Sequence, residues 1–576
     1  MEKTYDNLTG LPSMSYFYEL AEAEINHLLA KGDTPAIVFF DITGMKQYNH
    51  KHGFRLGDEL LIALASILIE QFGNENCSRF VQDHFVVVTN SRDVEDKVER
   101  LFSVWKKRAK MGVLPLRVGV YVVDSANTDI VVACDNAKVA CDLLRNTYAS
   151  DIRYYNKELE QDLEKKEYII SHLDQAIANK WINVYYQPIV RAINGRVCEE
   201  EALSRWIDPE RGFFSPADFI DILEEAHLIY KLDLYVVDQV IEKIKTIRSL
   251  GLNPVTHSVN LSRTDFNDCD IVDEICARMD AAELDHSLLT IEITESIIAS
   301  NFEYMKLQVN RFRELGFKVW MDDFGSGYSS LDVLHDLEFD LIKFDMHFLH
   351  KFGDGINGRI ILSNLVRMAT DLGIDTVCEG VETEEHEAFL QDIGCIKLQG
   401  YYYTKPLPLE NVVDRYINCE HNGVHIDFES TAEMPYFENL SKINLYDLSW
   451  ALETEDSEFD RFYNSIPMVV MELTDDSVRI ARCNASYLEF SKRTFPRNVG
   501  KEFERFDTIP EQHRGSFLAY LIECANTGKR LFVDEAFPNG TTVHTFMRRI
   551  AINPVTGIRA VAIAVLSVTA DGNEMV

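Results

Sequence analysis

The chain has 576 residues, 46% of them hydrophobic, and a formal net charge of −36. That acidity excludes a basic nucleic-acid-binding surface, so neither DNA nor RNA is an expected partner; a small anion can still be held where metal ions reverse the local field. No run of 18 apolar residues occurs and the opening MEKTYDNLTG has no apolar core, so neither a membrane span nor a signal peptide is expected; eleven cysteines without a CxxC pair point to a reducing cytoplasm, with no disulfides and no zinc site.

At about 150 residues per domain the length predicts three or four domains. Residues 1–155 alternate helix-like stretches (SYFYELAEAEINHLLAK) with strand-like ones (PAIVFFDI, LRVGVYVV), an α/β pattern. Residues 156–180 are charged and free of Gly and Pro, and read as a connecting helix. A second domain over 165–415 has the length of a single TIM-type (β/α) barrel, about 250 residues. Residues 416–445 are polar and irregular and read as a linker. The last region, 446–572, has short strand-like runs (PMVVMELT, RAVAIAVLSV) and one helical stretch, a small α+β domain. Met468 and Met471 in it read as core rather than haem ligands.

In the second domain, apolar runs end repeatedly on a polar residue: Glu201, Asn260, Glu292, Asp322 with Asp323, Lys343, Glu379 and Gln399. Helix-like segments fill the gaps, and a barrel presents its reactive side chains at the ends of successive strands. Taken singly, each has a plainer explanation. A Glu at a strand end is usually a solvated surface group, and an Asn a cap or turn. Independent surface groups would not fall on consecutive strand ends. Carboxylates converging on one mouth repel one another unless a cation joins them. All the donors are hard oxygens, so the expected partner is Mg²⁺ or Mn²⁺.

The same stretches carry a resemblance. Tyr186-Gln187-Pro188, Glu201-Ala202-Leu203-Ser204-Arg205-Trp206, Val259-Asn260-Leu261-Ser262, Glu292-Ile293-Thr294-Glu295, Asp322-Asp323-Phe324-Gly325, Lys343-Phe344-Asp345, Glu379-Gly380-Val381-Glu382 and Gln399-Gly400-Tyr401 follow in order. The domain resembles the EAL family of cyclic di-GMP phosphodiesterases. The resemblance implies two-metal hydrolysis of cyclic di-GMP to linear pGpG by a homodimer joined through this domain. It implies that Glu201, Asn260, Glu292 and Asp322 hold one metal ion, and Asp323, bridging Asp322 and Glu379 the second. Lys343 would touch the attacking water. Glu379 stands as metal ligand or general base, the two not being distinguished. Arg205 would grip phosphate; Gln187, Glu382 and Gln399 would contact substrate or water. Glu295 would anchor the loop FGSGYSSL that follows Asp323.

The first domain resembles the GGDEF family of diguanylate cyclases through Asp6-Asn7-Leu8-Thr9-Gly10-Leu11-Pro12 and through Asp41, Asn49, Gly53, Gly57 and Asp58. Its signature hairpin reads Val81-Gln82-Asp83-His84-Phe85. Side chains at 81 and 82 stand where backbone must approach a triphosphate, and His84 removes a hard-cation ligand. The expectation is a domain inactive as a cyclase that could still hold GTP. The C-terminal region, with Asn484 before an apolar helix face, is similar to PAS domains. Two other functions compete with hydrolysis: a receptor that binds cyclic di-GMP without cleaving it, and a signalling scaffold. The complete ligand series and Lys343 argue against both.

Overall fold

The computed structural model describes residues 4–108, 114–123, 128–145, 149–325, 330–350, 356–418, 420–421, 424–425, 428–430, 432–445, 466–494, 500, 502–508, 516–536, 541–570 and 573–574. The chain divides into two compact units, Met1–Tyr168 and Ile169–Val576. Among the described residues no helix is long and apolar enough to cross a membrane.

The first unit is built on strands β1 (Pro35–Ile42), β2 (Cys77–Arg79), β3 (His84–Asn90), β4 (Leu116–Val122) and β5 (Asp151–Tyr155), in the order β2-β3-β1-β4-β5. Side chains alternate across a strand, and β1 shows what that does here. Ala36, Val38, Phe40 and Ile42 join one apolar cluster with Leu60, Leu64 and Leu68 of the helix Phe54–Phe72. Ile37 and Phe39 join another with Phe17, Ala21 and Ile25 of the helix Met14–Ala30. The sheet is therefore covered on both faces, which is why β1 is apolar at nearly every position.

The second unit opens with a barrel. Its strands are β6 (Ile182–Arg191) and β7 (Val197–Asp208), extended by β8 (Gly212–Phe214), then β9 (Thr256–Asn260), β10 (Leu289–Thr294), β11 (Lys318–Phe324), β12 (Leu341–Phe344), β13 (Asp375–Cys378) and β14 (Lys397–Leu398). A short β15 (Leu407–Pro408) pairs with β6. The ring closes through β6–β7, giving eight strands. Strands β7 and β9 to β14 are parallel, but β6 is antiparallel to both neighbours. The reason is the connection: only residues 192–196 join β6 to β7, and a parallel crossover needs a dozen or more. Gln187 therefore comes from a strand that runs the other way, directly opposite Glu201. Ile189, Cys198, Trp320, Leu341 and Val377 pack in the barrel.

The acidic run at the start of β7 is not a solvated face. Glu199, Glu200 and Glu201 are all buried, and each lies beside a different lysine. Glu199 is 2.9 Å from Lys397, Glu200 is 2.7 Å from Lys243 of the helix Ile229–Ser249, and Glu201 is 3.4 Å from Lys343. Burial works against a charge on Glu200, yet Lys243 and His257 hold its carboxyl down at about 2.

Residues 416–445 do not form an irregular linker. Tyr416 lies in the last turn of the helix Leu409–Asn418, and its ring stacks on Phe428 with centroids 3.6 Å apart. A small hairpin of β16 (Glu420–His421) and β17 (Val424–His425) follows. The helix Met434–Ser441 then buries Tyr436, Phe437 and Leu440. The segment carries enough apolar side chains to pack, but they are spaced among polar residues that meet buried partners. Beyond it, β18 (Met468–Leu473), β19 (Ser477–Cys483), β20 (Glu504–Arg505), β21 (Leu531–Ala536), β22 (Thr541–Ile552) and β23 (Arg559–Ala570) form an antiparallel sheet in the order β20-β19-β18-β23-β22-β21. Met471 and Tyr487, with Leu521 of the helix Ser516–Thr527, lie in its core.

Replacing Lys243 with Met leaves Glu200 buried without its cation. Loss of one partner of a buried pair costs about 3–5 kcal/mol, so the denaturant midpoint of Lys243→Met should fall sharply. His257 gives a pH test. Burial first, then Lys243, pushes its imidazole down to about 4 from 6.5. Between those values the unfolded chain binds the extra proton and the folded chain does not, so stability falls as pH drops from 6.5 towards 4. Urea midpoints across that window should fall less steeply in His257→Gln than in the wild type.

Candidate active site

The C-terminal ends of the parallel strands bring the series together. Asn260 and Glu292 are register partners on β9 and β10, and Asp322, on the next strand β11, pairs with Thr294 of β10. Lys343 lies at their centre and is 1% exposed. Its ammonium donates to Glu292 at 2.8 Å and lies 2.7 Å from Glu379, 3.4 Å from Glu201 and 3.4 Å from Asp322. Glu201 also accepts from the Asn260 amide at 2.9 Å and from the Gln399 amide at 2.6 Å.

One cation faces four carboxylates, so the balance is negative. Two unit charges 4 Å apart interact by roughly 4 kcal/mol at an effective dielectric of 20, too much to leave every acid ionised. The groups share the excess unequally. Burial would raise Glu201, but Lys343 and the two amides outweigh it and hold it below the usual range. Glu292 has fewer donors, and burial drives it well above that range despite Lys343. Burial, with Asp322 and Glu201 adding to it, pushes Glu379 up to about 7. Burial, with Asp322 and Asp345 alongside, pushes Asp323 up to about 6. Lys343 is itself held well above its usual value, the acids around it outweighing burial.

Asp322, Asp323 and Glu379 each bring a carboxylate oxygen within 4.8 Å of the others. The backbone contributes to this. β11 has a register irregularity between Met321 and Phe324, and Asp323 takes a left-handed φ of 55°. That bulge lets two consecutive residues serve one site, where a regular strand would send them to opposite faces. Gly325 follows with φ 92°; a Cβ there would lie 2.5 Å from the Phe348 ring, and its N–H donates to Glu295 at 3.3 Å. Glu295 thus touches the start of the loop expected to be anchored by it; the loop residues 326–329 lie outside the described residues.

Two cavities flank the carboxylates. The larger, about 650 Å³, is lined by Arg205, Asn260, Asp322, Asp323, Glu224 and Asp233. The smaller, about 260 Å³, is lined by Gln187, Glu201, Glu379, Glu382, Gln399 and Tyr401. The expected substrate residues are therefore divided, Arg205 on one side and Gln187, Glu382 and Gln399 on the other. Gly400 permits the tight packing there, since a Cβ would lie 2.1 Å from the Val381 carbonyl.

Sequence reasoning assigned no role to Asp345, although it lies two residues beyond Lys343. It hydrogen-bonds Asp323 and accepts from the His347 N–H at 2.7 Å. It also did not single out the acid pair beside the larger cavity. Asp233 lies against Asp265, which accepts from the Ser262 N–H at 2.7 Å. Burial and then Asp265 drive Asp233 well up, and Asp265 is pushed to about 6. The two acids are pushed up together, Asp233 the more strongly. No periodicity signals such a pair, because its members lie 32 positions apart.

Residues 170–406 match the family model of the EAL domain, and residues 3–147 that of the diguanylate cyclase, GGDEF domain. The chain carries GGDEF and EAL family-model domains in tandem. An uncharacterised signalling protein of Caulobacter vibrioides is 30% identical over 419 residues, which are 70% of this chain and 51% of that one. The cyclic di-GMP phosphodiesterase NbdA of Pseudomonas aeruginosa is 28% identical over 417 residues, 70% of this chain and 53% of its own. The solved PaMucR phosphodiesterase in complex with c-di-GMP is 31% identical, with a TM-score of 0.41; the match covers 42% of this chain and 99% of that one. The tandem protein spans about half the length of these two curated relatives.

Asp233→Asn keeps a donor towards Asp265 and should stay within about 1 kcal/mol of wild type. Asp233→Ala removes that donor and should cost about 1–3 kcal/mol more. Denaturant midpoints of the two variants decide this.

Proposed function

We propose that the EAL domain hydrolyses cyclic di-GMP to linear pGpG with two divalent cations, Mg²⁺ or Mn²⁺, in a cytoplasmic setting. The observation that carries this reading is the convergence of Glu201, Glu292, Asp322 and Glu379 on buried Lys343, with Asn260 and Asp323 alongside. The residues fit such ions. Every donor is oxygen, negative charge is in excess, and the buried Glu292 Oε1 has no hydrogen-bond partner. Glu201, Asn260, Glu292 and Asp322 would hold one ion, and Asp322, Asp323 and Glu379 the other. Bound there, such ions would lower the pKa of a water molecule and offset negative charge on the phosphoryl group.

The chain's own groups do the rest. Lys343 keeps its proton and places an ammonium where negative charge develops on the attacked phosphoryl group. Arg205, in the wall of the larger cavity, presents a planar guanidinium to a phosphate. Gln187, Glu382 and Gln399 position substrate from the smaller cavity, and Glu379 faces both that cavity and Lys343. The larger cavity has the volume of a small-ligand site. NbdA and the Escherichia coli relative PdeR, each named a cyclic di-GMP phosphodiesterase, support the choice of substrate.

The GGDEF domain is read as inactive in cyclisation. Gln82 occupies the hairpin turn with a left-handed φ of 55°, a conformation natural to glycine, and Val81 is exposed beside it. Asp41 lies 3.4 Å from Arg117. A retained GTP site, a homodimer through the EAL domain and a PAS-like C-terminal domain belong to the same proposal.

Purified protein incubated with cyclic di-GMP and Mg²⁺ or Mn²⁺ should yield pGpG on nucleotide chromatography. Glu201→Ala should lower turnover at least about 100-fold, and Lys343→Met by a similar factor, the scale of losing one transition-state donor. Retention of the nucleotide without product would mean a receptor, and neither binding nor turnover a scaffold. Full activity in Glu201→Ala would remove the ligand assignment.

A further inference from the structure

Away from the barrel mouth, the helix Ile271–Ala281 carries Cys276 and Asp280 one turn apart. Residues i and i+4 share a helix face. The helix ends at Ala281, and Glu283 takes a left-handed φ of 54°. The Glu283 N–H donates to the Asp280 carbonyl at 3.0 Å and the Leu284 N–H to the Met279 carbonyl at 3.1 Å. That reversal turns the chain back along the last turn of the helix and delivers His286 beside it. His286 Nε2 lies 2.9 Å from one Asp280 carboxylate oxygen, and the Cys276 sulfur 3.6 Å from the other. One donor atom from each residue lies within 4.8 Å of the other two.

The imidazole is held in place from its far side. Nδ1 is 2.6 Å from the Leu315 carbonyl, and the ring stacks on Phe317 with centroids 4.5 Å apart and planes 8° apart. A carbonyl only accepts, so Nδ1 carries a proton. In the neutral ring Nε2 is then a lone pair aimed at a carboxylate, acceptor against acceptor. A metal ion held there would take both the Nε2 lone pair and the carboxylate as ligands. A backbone carbonyl on the far nitrogen is the support that metal-bound histidines ordinarily have.

The donor set decides the class of ion. Sulfur, nitrogen and oxygen together suit a borderline transition metal, whereas the all-oxygen mouth suits a hard one. We propose that Cys276, Asp280 and His286 bind a zinc-class transition ion at a surface site separate from the barrel mouth, with its remaining coordination position open to solvent. This revises the expectation drawn from cysteine spacing. The donors are not paired cysteines but a helical i, i+4 pair completed by a histidine that only the reversal at Glu283 brings near. Binding releases the thiol proton, because thiolate is the ligand.

The test uses the full chain, stripped with chelator and titrated with Co²⁺. A thiolate-to-cobalt charge-transfer absorption should grow and saturate at one ion per chain. Cys276→Ser should abolish it while leaving the circular dichroism of the wild type. His286→Gln should raise the apparent Kd at least about 10-fold. Glu201→Gln, at the mouth, should leave the absorption in place, since no sulfur lies among the mouth ligands. No such absorption in the wild type, or one that survives Cys276→Ser, overturns the proposal.

Discussion

The barrel mouth gathers more negative charge than a protein interior tolerates, and one buried lysine holds it together. Lys343 contacts four carboxylates, three on the strands β7, β10 and β11 and one just beyond the end of β13. Neither side is stable alone: the ammonium could not be buried without the acids, and the acids could not be packed without it. Lys343 still falls short of neutrality, and the shortfall shows in Glu292, Glu379 and Asp323, all pushed towards their protonated forms. The mouth is left with an excess of negative charge that Lys343 does not cancel. The division of labour among the acids follows from their partners. Glu201, with two amide donors, is held below the usual carboxylate range, and Glu292, without them, is driven above it by burial.

Three adjacent glutamates on β7 show how a barrel sorts charge. Glu201 belongs to the mouth. Glu200 faces Lys243 and His257 and ties the helix Ile229–Ser249 to the strand. Glu199 pairs with Lys397, whose ammonium lies 5.0 Å from the Trp320 ring. Each acid has its own lysine, so the residue at the mouth and the residues that hold the wall can be altered separately.

The end of the barrel opposite the mouth is completed by the segment after it. Fully buried Arg191 reaches Glu429 at 2.9 Å and Glu438 at 3.7 Å, and Lys442 reaches Asp375 at 2.9 Å. The same short helix faces the C-terminal sheet. The Tyr436 hydroxyl donates to Glu472 at 2.5 Å, and Arg482 donates to the Leu440 and Ser441 carbonyls at 2.9 and 3.1 Å. Met434–Ser441 is therefore shared between two cores. Its buried ion pairs make the junction specific, because Arg191 and Glu429 cannot both stay buried if the segment shifts.

The order of elements, the α/β character of the N-terminal region and the barrel were legible in the sequence because apolar period and strand-end position repeat. The mouth residues were legible for the same reason: a parallel strand presents its last residues at one end, so chain order alone nominates them. The sequence could not show the reversed β6, the bulge that turns Asp322 and Asp323 to one site, the Asp233–Asp265 pair or the packing of residues 428–445. Nor could it show that Cys276 meets His286. These depend on a turn too short for a crossover, on backbone angles at single residues and on contacts between distant segments. Local sequence determined which groups are available and in what rhythm. Only the tertiary structure decided which charge stands beside which, because that depends on through-space distances of a few ångströms that no spacing along the chain encodes.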